Sequence, residues 1–100
     1  MNDAFHALSD PTRREILRLL QDGDMTAGEI CDQFDLARST LSGHFTVLKH
    51  AELIVAEKSG TTITYSLNTS VVETLLGNLM DLLGTSPQKS GKQPRKRKGK

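Results

Sequence analysis

The sequence predicts one small domain that is mainly α-helical and carries a single β-hairpin. Three observations predict it. Apolar residues recur at helical spacing in successive segments of the chain. Over residues 54–67 this period changes to the alternation typical of a strand pair. The length of 100 residues, with 36% hydrophobic and 25% charged residues, suits one globular domain rather than several.

The first three helices are indicated by residues that start or stop them. A short helix is predicted over residues 3–8. Asp10 can accept backbone N–H bonds as an N-cap and Pro11 suits a first helical position, so a second helix begins there and stops before Gly23. Thr26 and Glu29 have the spacing of a capping box, which predicts a third helix over residues 26–34.

A fourth helix is predicted after a tight turn at residues 35–36. It begins near Ala37 or Arg38 and ends at His50. One face of this helix is apolar and is expected to lie in the core; it consists of Leu41, Phe45, Leu48 and Ala51.

The hairpin is predicted from two short segments around a turn. Residues 54–58 form the first strand candidate, and Ser59-Gly60 forms the turn. In residues 62–67, apolar and polar side chains alternate, which indicates a half-buried strand.

The last predicted helix, over residues 71–83, is apolar around much of its circumference. A helix of this kind is buried on more than one side. In so short a chain the second side is most simply covered by another subunit, and symmetric dimers are the commonest closed assembly. The alternative is that these residues only complete the core of the monomer.

Two short helices joined by a tight turn and followed by a hairpin describe a winged helix-turn-helix. In such a domain the second helix presents its outward residues to the DNA major groove. Short hydroxyls can contact bases or phosphates, and Arg38 has the geometry to bind guanine with two hydrogen bonds. The predicted DNA contacts on the helix are Arg38, Ser39, Thr40, Ser42, Gly43, His44 and Thr46, and those at the hairpin tip are Lys58, Thr61 and Thr62.

The net charge of +1 conceals two opposed parts of the chain. Residues 86–100 hold 7 basic residues and no acid, whereas residues 1–85 hold 6 basic and 12 acidic residues. We therefore divide the chain into a folded domain at residues 1–84 and a disordered basic tail at residues 85–100. The tail suits nucleic acid or another anionic surface. It is alternatively a solubilising segment, a segment that folds back on the acidic domain, or an artificial extension.

Several motifs together resemble the ArsR-type winged-helix transcriptional repressors, and within them the SdpR-like autorepressors. The resemblance covers residues 1–84. It is carried by F-H-A-L-S-D-P-T-R-R-E-I-L-R-L-L at residues 5–20, G-D-M-T-A-G-E-I at 23–30, S-T-L-S-G-H-F-T-V-L-K at 39–49, A-E-L-I at 51–54 and I-T-Y-S-L-N at 63–68.

The resemblance implies a homodimer that binds an inverted-repeat operator, often in the protein's own promoter. It places the subunit interface on the first and last helices. It also implies that a membrane-bound or other protein antagonist, rather than a small molecule, relieves repression. The expected interface residues are Ala4, Phe5, Leu8, Val72, Leu75, Leu76, Leu79, Met80 and Leu83.

Two positions depart from the family pattern. Gly43 stands where the family usually has a bulky polar residue, commonly His, and Thr61 stands where the wing often carries arginine. Lys58 is then the only basic residue of the wing. We expect weak DNA binding by the acidic domain alone, which the basic tail would compensate.

No metal site and no cofactor are expected. Some relatives bind metal through two cysteines in the third helix, but here Cys31 is followed by Gln33 in place of the second cysteine. Relatives with a zinc site on the last helix use Asp and His, whereas this helix offers Glu73 and Asp81 without a histidine. Cys31, the single cysteine, is expected to be a small apolar core residue.

The remaining sequence features bear on the class of protein. The chain has neither a signal-peptide pattern nor an apolar run of membrane-spanning length, so we expect a cytoplasmic protein. No catalytic constellation or phosphate-binding glycine loop is present, which argues against an enzyme. Two other binding functions stay open: a nonspecific architectural DNA binder that depends on the tail, and a winged-helix module for protein–protein assembly.

Overall fold

The computed structural model describes residues 2–85, which form five helices and a three-stranded antiparallel sheet. The strand order is β1-β3-β2. The mainly α fold with a β-hairpin is therefore confirmed, while the predicted tail beyond residue 85 lies outside the described residues. In chain order the elements are α1 (Asn2–Leu8), α2 (Pro11–Leu20), β1 (Met25–Thr26), α3 (Ala27–Cys31), α4 (Arg38–His50), β2 (Ile54–Ser59), β3 (Thr62–Leu67) and α5 (Thr69–Leu83).

The helix ends form where the capping residues predict them. The Asp10 carboxylate accepts a hydrogen bond from the Arg13 backbone N–H at 3.0 Å, and Pro11 opens α2. Both bonds of the capping box are present: Thr26 Oγ1 accepts from the Glu29 N–H at 3.1 Å, and Glu29 Oε1 accepts from the Thr26 N–H at 2.9 Å. Predicted bounds and observed bounds therefore agree closely for α1, α2, α4 and α5.

The third helix is shorter than predicted. It ends at Cys31, because the Gln33 and Phe34 N–H groups bond to carbonyls only three residues back, at Ile30 and Cys31. The prediction of a helix over residues 26–34 was wrong at its C-terminal end, where these residues form tight turns.

The wing is part of a sheet of three strands rather than two. The unpredicted strand β1 has two residues, which pair with Tyr65 and Thr64 of β3. Two residues are too few to show an alternating pattern. The hairpin turn is also one residue later than predicted, since Ser59 pairs with Thr62 and the loop consists of Gly60 and Thr61. Gly60 has a φ of 62°, a left-handed conformation that glycine adopts without a steric penalty.

The core lies beneath α4 and the sheet. The predicted apolar face of α4, which comprises Leu41, Phe45, Leu48 and the adjoining Ala51, is buried as expected. The Phe45 and Tyr65 rings lie 4.6 Å apart between centroids with an interplanar angle of 33°, so they attach α4 directly to β3. Each large side chain buried here stabilises the fold by about 1.5–3 kcal/mol. The apolar side of α4 is therefore held against the core, and the other side of the helix faces outward.

None of the helices within residues 2–85 combines the length and the apolar character needed to cross a bilayer.

Candidate nucleic-acid interface

The outward side of α4 is polar and exposed. Ser39, Ser42 and Thr46 lie above one another at spacings of three and four, away from the buried Leu41, Phe45 and Leu48, and the other contact residues flank them in exposed positions. The structure therefore brings together six of the predicted residues on an exposed surface, which we call the α4 outer face: Arg38, Ser39, Thr40, Ser42, Gly43 and Thr46.

The first turn of α4 is open to an external acceptor. Its N-cap is Ala37, which has no side chain able to cap, so the backbone N–H groups of the first turn have no side-chain partner within residues 2–85. A helix start of this kind favours a phosphate, through its N–H groups and its dipole. In the same described part of the chain, Arg38 makes no hydrogen bond or ion pair, so its guanidinium is available to a ligand.

The hydroxyl groups of the outer face are not equivalent. Thr46 Oγ1 donates to the Ser42 carbonyl at 3.0 Å within the helix, so its proton is already engaged. The hydroxyls of Ser39, Thr40 and Ser42 form no hydrogen bond with the described part of the chain. The three serine and threonine hydroxyls nearest the helix start are therefore the ones best able to meet a base or phosphate.

Gly43 leaves a gap in the outer face. A Cβ built on this residue meets no atom within 4 Å, so the described chain itself does not require glycine here. The absence of a side chain brings the α4 backbone to the surface at the middle of the candidate interface.

His44 has a different environment from the other predicted contacts. Its side chain is 17% exposed and turned toward α2, where its Nδ1 lies 3.1 Å from Arg13 Nη1. The structure thus places His44 beside the core rather than with the residues of the outer face. The sequence pattern gives no sign of this contact, because Arg13 and His44 are 31 residues apart.

The wing tip supplies a second exposed polar surface. Lys58, Thr61 and Thr62 are all exposed around the Gly60 turn. Lys58 is the basic residue of the β2–β3 hairpin, and Glu57 precedes it on the same strand. The hairpin therefore offers little net positive charge to a phosphate backbone.

Two titratable groups in the elements packed against α4 have shifted pKa values. The Arg13 backbone hydrogen bond lowers the pKa of the Asp10 carboxyl, and the nearby His44 side chain lowers it further. Burial raises the pKa of Tyr65, and a charge on Cys31 raises it further. Both groups stabilise elements that hold α4 and neither belongs to the outer face.

A separate apolar surface lies on α1 and α5. Phe5, Leu76 and Leu79 are exposed although large and apolar, and they belong to the predicted subunit interface. Ala4 and Leu75, also predicted there, are each 8% exposed and pack in the core of their own chain. Leu82, which is 78% exposed, is a further exposed apolar residue of α5 that the predicted interface set does not include.

Metal-ligand side chains do not converge within residues 2–85. No group of three His, Cys, Asp or Glu side chains is placed there to hold a metal ion. Cys31 is a half-buried free thiol that packs against the core. Gln33 lies on the exposed turn after α3.

Comparison with known proteins identifies the family. Residues 8–56 match the family model of a helix-turn-helix domain. The chain is 45% identical to the transcriptional repressor SdpR of Bacillus subtilis, over 83% of this chain and 92% of that protein. It is 38% identical to the arsenical resistance operon repressor of Staphylococcus xylosus, over 88% of this chain and 84% of that one.

A solved structure agrees with the relatives. The crystal structure of an ArsR family transcriptional regulator has 31% identity and a TM-score of 0.69, and the match covers 84% of this chain and 90% of that one. The family is one of DNA-binding regulators and not of enzymes. The winged arrangement, the motifs and these matches together show that the chain belongs to the ArsR family of helix-turn-helix transcriptional repressors.

Proposed function

We propose that the protein is a homodimeric repressor that binds an inverted-repeat operator, including one in its own promoter. Each α4 outer face enters a major groove, and each wing contacts the backbone or minor groove beside it. The observation that carries the proposal is the outer face itself. Within residues 2–85 it joins an uncapped helix start, an unpaired arginine and three free hydroxyls, all exposed on the N-terminal half of α4.

The proposed contacts have different roles. Arg38 binds a guanine edge, where two parallel hydrogen bonds discriminate between bases. Ser39, Thr40 and Ser42 contact phosphates or base edges, and the α4 start contributes its N–H groups to a phosphate. Lys58, Thr61 and Thr62 add wing contacts. His44 is left out of this set, because its ring faces Arg13.

The dimer is proposed from the apolar surface of α1 and α5. Phe5 of α1 and several leucines of α5 are exposed, and a second copy of the same surface would cover them. The interface proposed for one protomer consists of Phe5, Leu8, Val72, Leu76, Leu79, Met80 and Leu83, with the addition of the exposed Leu82.

Release from DNA is proposed to depend on a protein antagonist and not on a metal. Similarity to SdpR is greater than similarity to the arsenical repressors, 45% against 38% identity. A two-cysteine metal site at Cys31 also has no second thiol here, because residue 33 is Gln33 and the chain has no other cysteine. The basic residues of 86–100 are proposed to offset the acidic charge of the folded domain when DNA is bound.

Fluorescence anisotropy tests the proposal directly. The full chain and a chain ending at Thr85 are titrated against the gene's own upstream fragment and a scrambled duplex of equal length, over a series of salt concentrations. We expect both chains to prefer the upstream fragment. The log–log salt slope should be smaller for the shorter chain, by about 0.9 for each phosphate that the tail neutralises.

Other outcomes point to other functions. Binding that shows no preference and disappears with the tail would indicate a nonspecific architectural protein. Absence of DNA binding by either chain would indicate a protein–protein assembly module.

A further inference from the structure

Arg13 is a buried cation that links three helices. It is 8% exposed, the one charged side chain buried within residues 2–85. Its Nε donates to the Ala7 carbonyl at 2.8 Å and its Nη2 donates to the His6 carbonyl at 3.0 Å. Its Nη1 lies 3.1 Å from His44 Nδ1. A buried charge is costly unless it is hydrogen-bonded, and here every nitrogen of the guanidinium has a partner.

The contacts of Arg13 reach the last turn of α1. The carbonyls at a helix C-terminus lack partners within the helix and carry its partial negative charge. A guanidinium donates hydrogen bonds to these carbonyls and compensates that charge. The position of α1 relative to α2 is therefore fixed by the fork geometry of arginine, which lysine cannot reproduce.

The same side chain reaches the recognition helix α4. Arginine is a donor only, so His44 Nδ1 is the acceptor in this contact, and Nε2 is the ring nitrogen that faces Asp10. That nitrogen is 3.9 Å from Asp10 Oδ2, and Asp10 in turn caps α2. These are the charged and titratable groups that face His44 within residues 2–85, and they hold its ring on the inner side of α4.

A second polar contact joins α1 to the other end of α4. His50 Nδ1 lies 3.5 Å from Asp3 Oδ2, but both side chains are largely exposed. Exposed pairs of this kind contribute little to stability or position. Of these two polar contacts, the buried one at Arg13 is therefore better able to hold α4 in position relative to α1, and the pair at His50 provides a matched control.

We propose that Arg13 and His44 are positioning residues that fix the recognition helix relative to the subunit interface. Helix α1 carries Phe5, an exposed residue of the proposed interface, on the side away from Ala4 and Ala7. Arg13 joins this interface helix to α4, so the pair sets the separation and angle of the two recognition helices in the dimer. Neither residue contacts DNA. The inference rests on the proposed dimeric binding of an inverted repeat.

The expected consequence is selectivity for operator spacing. Recognition helices of a rigid dimer meet half-sites one helical turn apart, about 34–36 Å. Adding or removing one base pair changes both the distance and the rotation between half-sites. If α4 is loosened from α1, the dimer adapts to a wrong spacing, although each α4 still recognises its own half-site.

The test uses the full-length protein and a set of operators whose half-sites are one or two base pairs closer or further apart. Wild type is compared with His44→Leu, which fills the site without an acceptor, and His44→Asn, whose amide oxygen can replace Nδ1. His50→Leu is the control. For wild type, His44→Asn and His50→Leu we expect the natural spacing to be preferred by about tenfold over its neighbours.

For His44→Leu we expect this preference to fall to about threefold or less, with unchanged affinity for an isolated half-site. Arg13→Lys keeps the positive charge but lacks the forked guanidinium, so we expect the same loss of spacing preference. This variant replaces His44→Leu in the test if His44→Leu does not fold. Sedimentation and circular dichroism establish that each variant is a folded dimer.

The inference is overturned if His44→Leu and Arg13→Lys keep the wild-type spacing preference. It is equally overturned if they weaken every operator and the half-site by the same factor, which would identify a DNA contact or a general defect of the fold. Failure of the proposed function looks different, because wild type itself would then show no preference for paired half-sites at any spacing.

Discussion

Helices α4 and α5 are similar in length but differ in what their own chain covers. Helix α4 has 13 residues and buries three of them, whereas α5 has 15 residues and buries one, Leu75. The surface that α4 leaves exposed holds no large apolar residue, whereas the surface that α5 leaves exposed includes four leucines beside its polar residues. An exposed polar helix face suits DNA, and an exposed apolar one suits a protein. One small domain thus presents two surfaces with distinct chemistry.

The largest effect is expected from a charge placed on the apolar side of α5. Leu79→Arg should raise the dimer dissociation constant by about a hundredfold or more, because an unpaired charge would be buried between apolar surfaces. Sedimentation velocity over a concentration series measures it. Asn78→Arg is the matched control, since Asn78 is exposed on the polar side of the same helix.

The distinction between the two helices would be wrong if Leu79→Arg stayed dimeric at micromolar concentration. It would also be wrong if Asn78→Arg dissociated as readily as Leu79→Arg. Leu79 is already partly exposed in the protomer, so we expect the variant to remain folded.

The next effect is expected on the outer face of α4. Arg38→Ala should weaken operator binding by about 1–3 kcal/mol and relax selectivity at one base pair, because alanine cannot form the two hydrogen bonds to guanine. Fluorescence anisotropy with single-base operator variants measures both quantities. Arg18→Ala removes the same charge from α2, where Arg18 pairs with Glu15 at 3.1 Å, and should change binding far less. Equal reductions in affinity for the two variants would mean that only net charge matters.

A smaller effect, on stability, is expected when the glycine within each of these two helices is replaced by alanine. A Cβ meets no atom within 4 Å at Gly43 of α4 or at Gly77 of α5. Gly43→Ala and Gly77→Ala should therefore each raise the free energy of unfolding by about 0.5–1 kcal/mol, since alanine restricts the unfolded chain and favours helix. Urea denaturation measures both. A decrease in stability at either site would show that a subunit or another segment packs closely against it.

The smallest effect concerns the aromatic contact beneath α4. Burial raises the pKa of Tyr65, so the folded state disfavours the phenolate. The contribution of Tyr65 to the free energy of unfolding should be constant below the ordinary tyrosine pKa of about 10 and fall as the pH rises from there toward the raised folded pKa. Urea denaturation at alkaline pH measures the decline, and Tyr65→Phe should reduce it. Equal declines in both proteins would show that the contribution of Tyr65 to this dependence is negligible.

Much of this fold could be predicted from the sequence because its helix ends carry specific capping chemistry. Asp10 with Pro11, and Thr26 with Glu29, act over three residues, so local sequence determines their structure. The inner face of α4 was predictable for a similar reason, since Leu41, Phe45 and Leu48 repeat at helical spacing.

Long-range contacts could not be predicted in this way. The short strand β1 forms only because residues 25–26 lie beside β3, some forty residues later in the chain. The inward position of His44 depends on Arg13, which no periodic pattern connects to it. Ala4 and Leu75 were predicted as interface residues from the family resemblance, but tertiary packing places them in the core of the protomer.

The most direct test of the central claim is a chemical footprint of the full-length protein on its upstream DNA. If two α4 outer faces of one dimer read the operator, two short major-groove segments will be protected on the same face of the duplex. Their centres will lie one helical turn apart, about 10–10.5 base pairs, or a multiple of it. A single protected segment, or even protection along the whole duplex, would contradict the account.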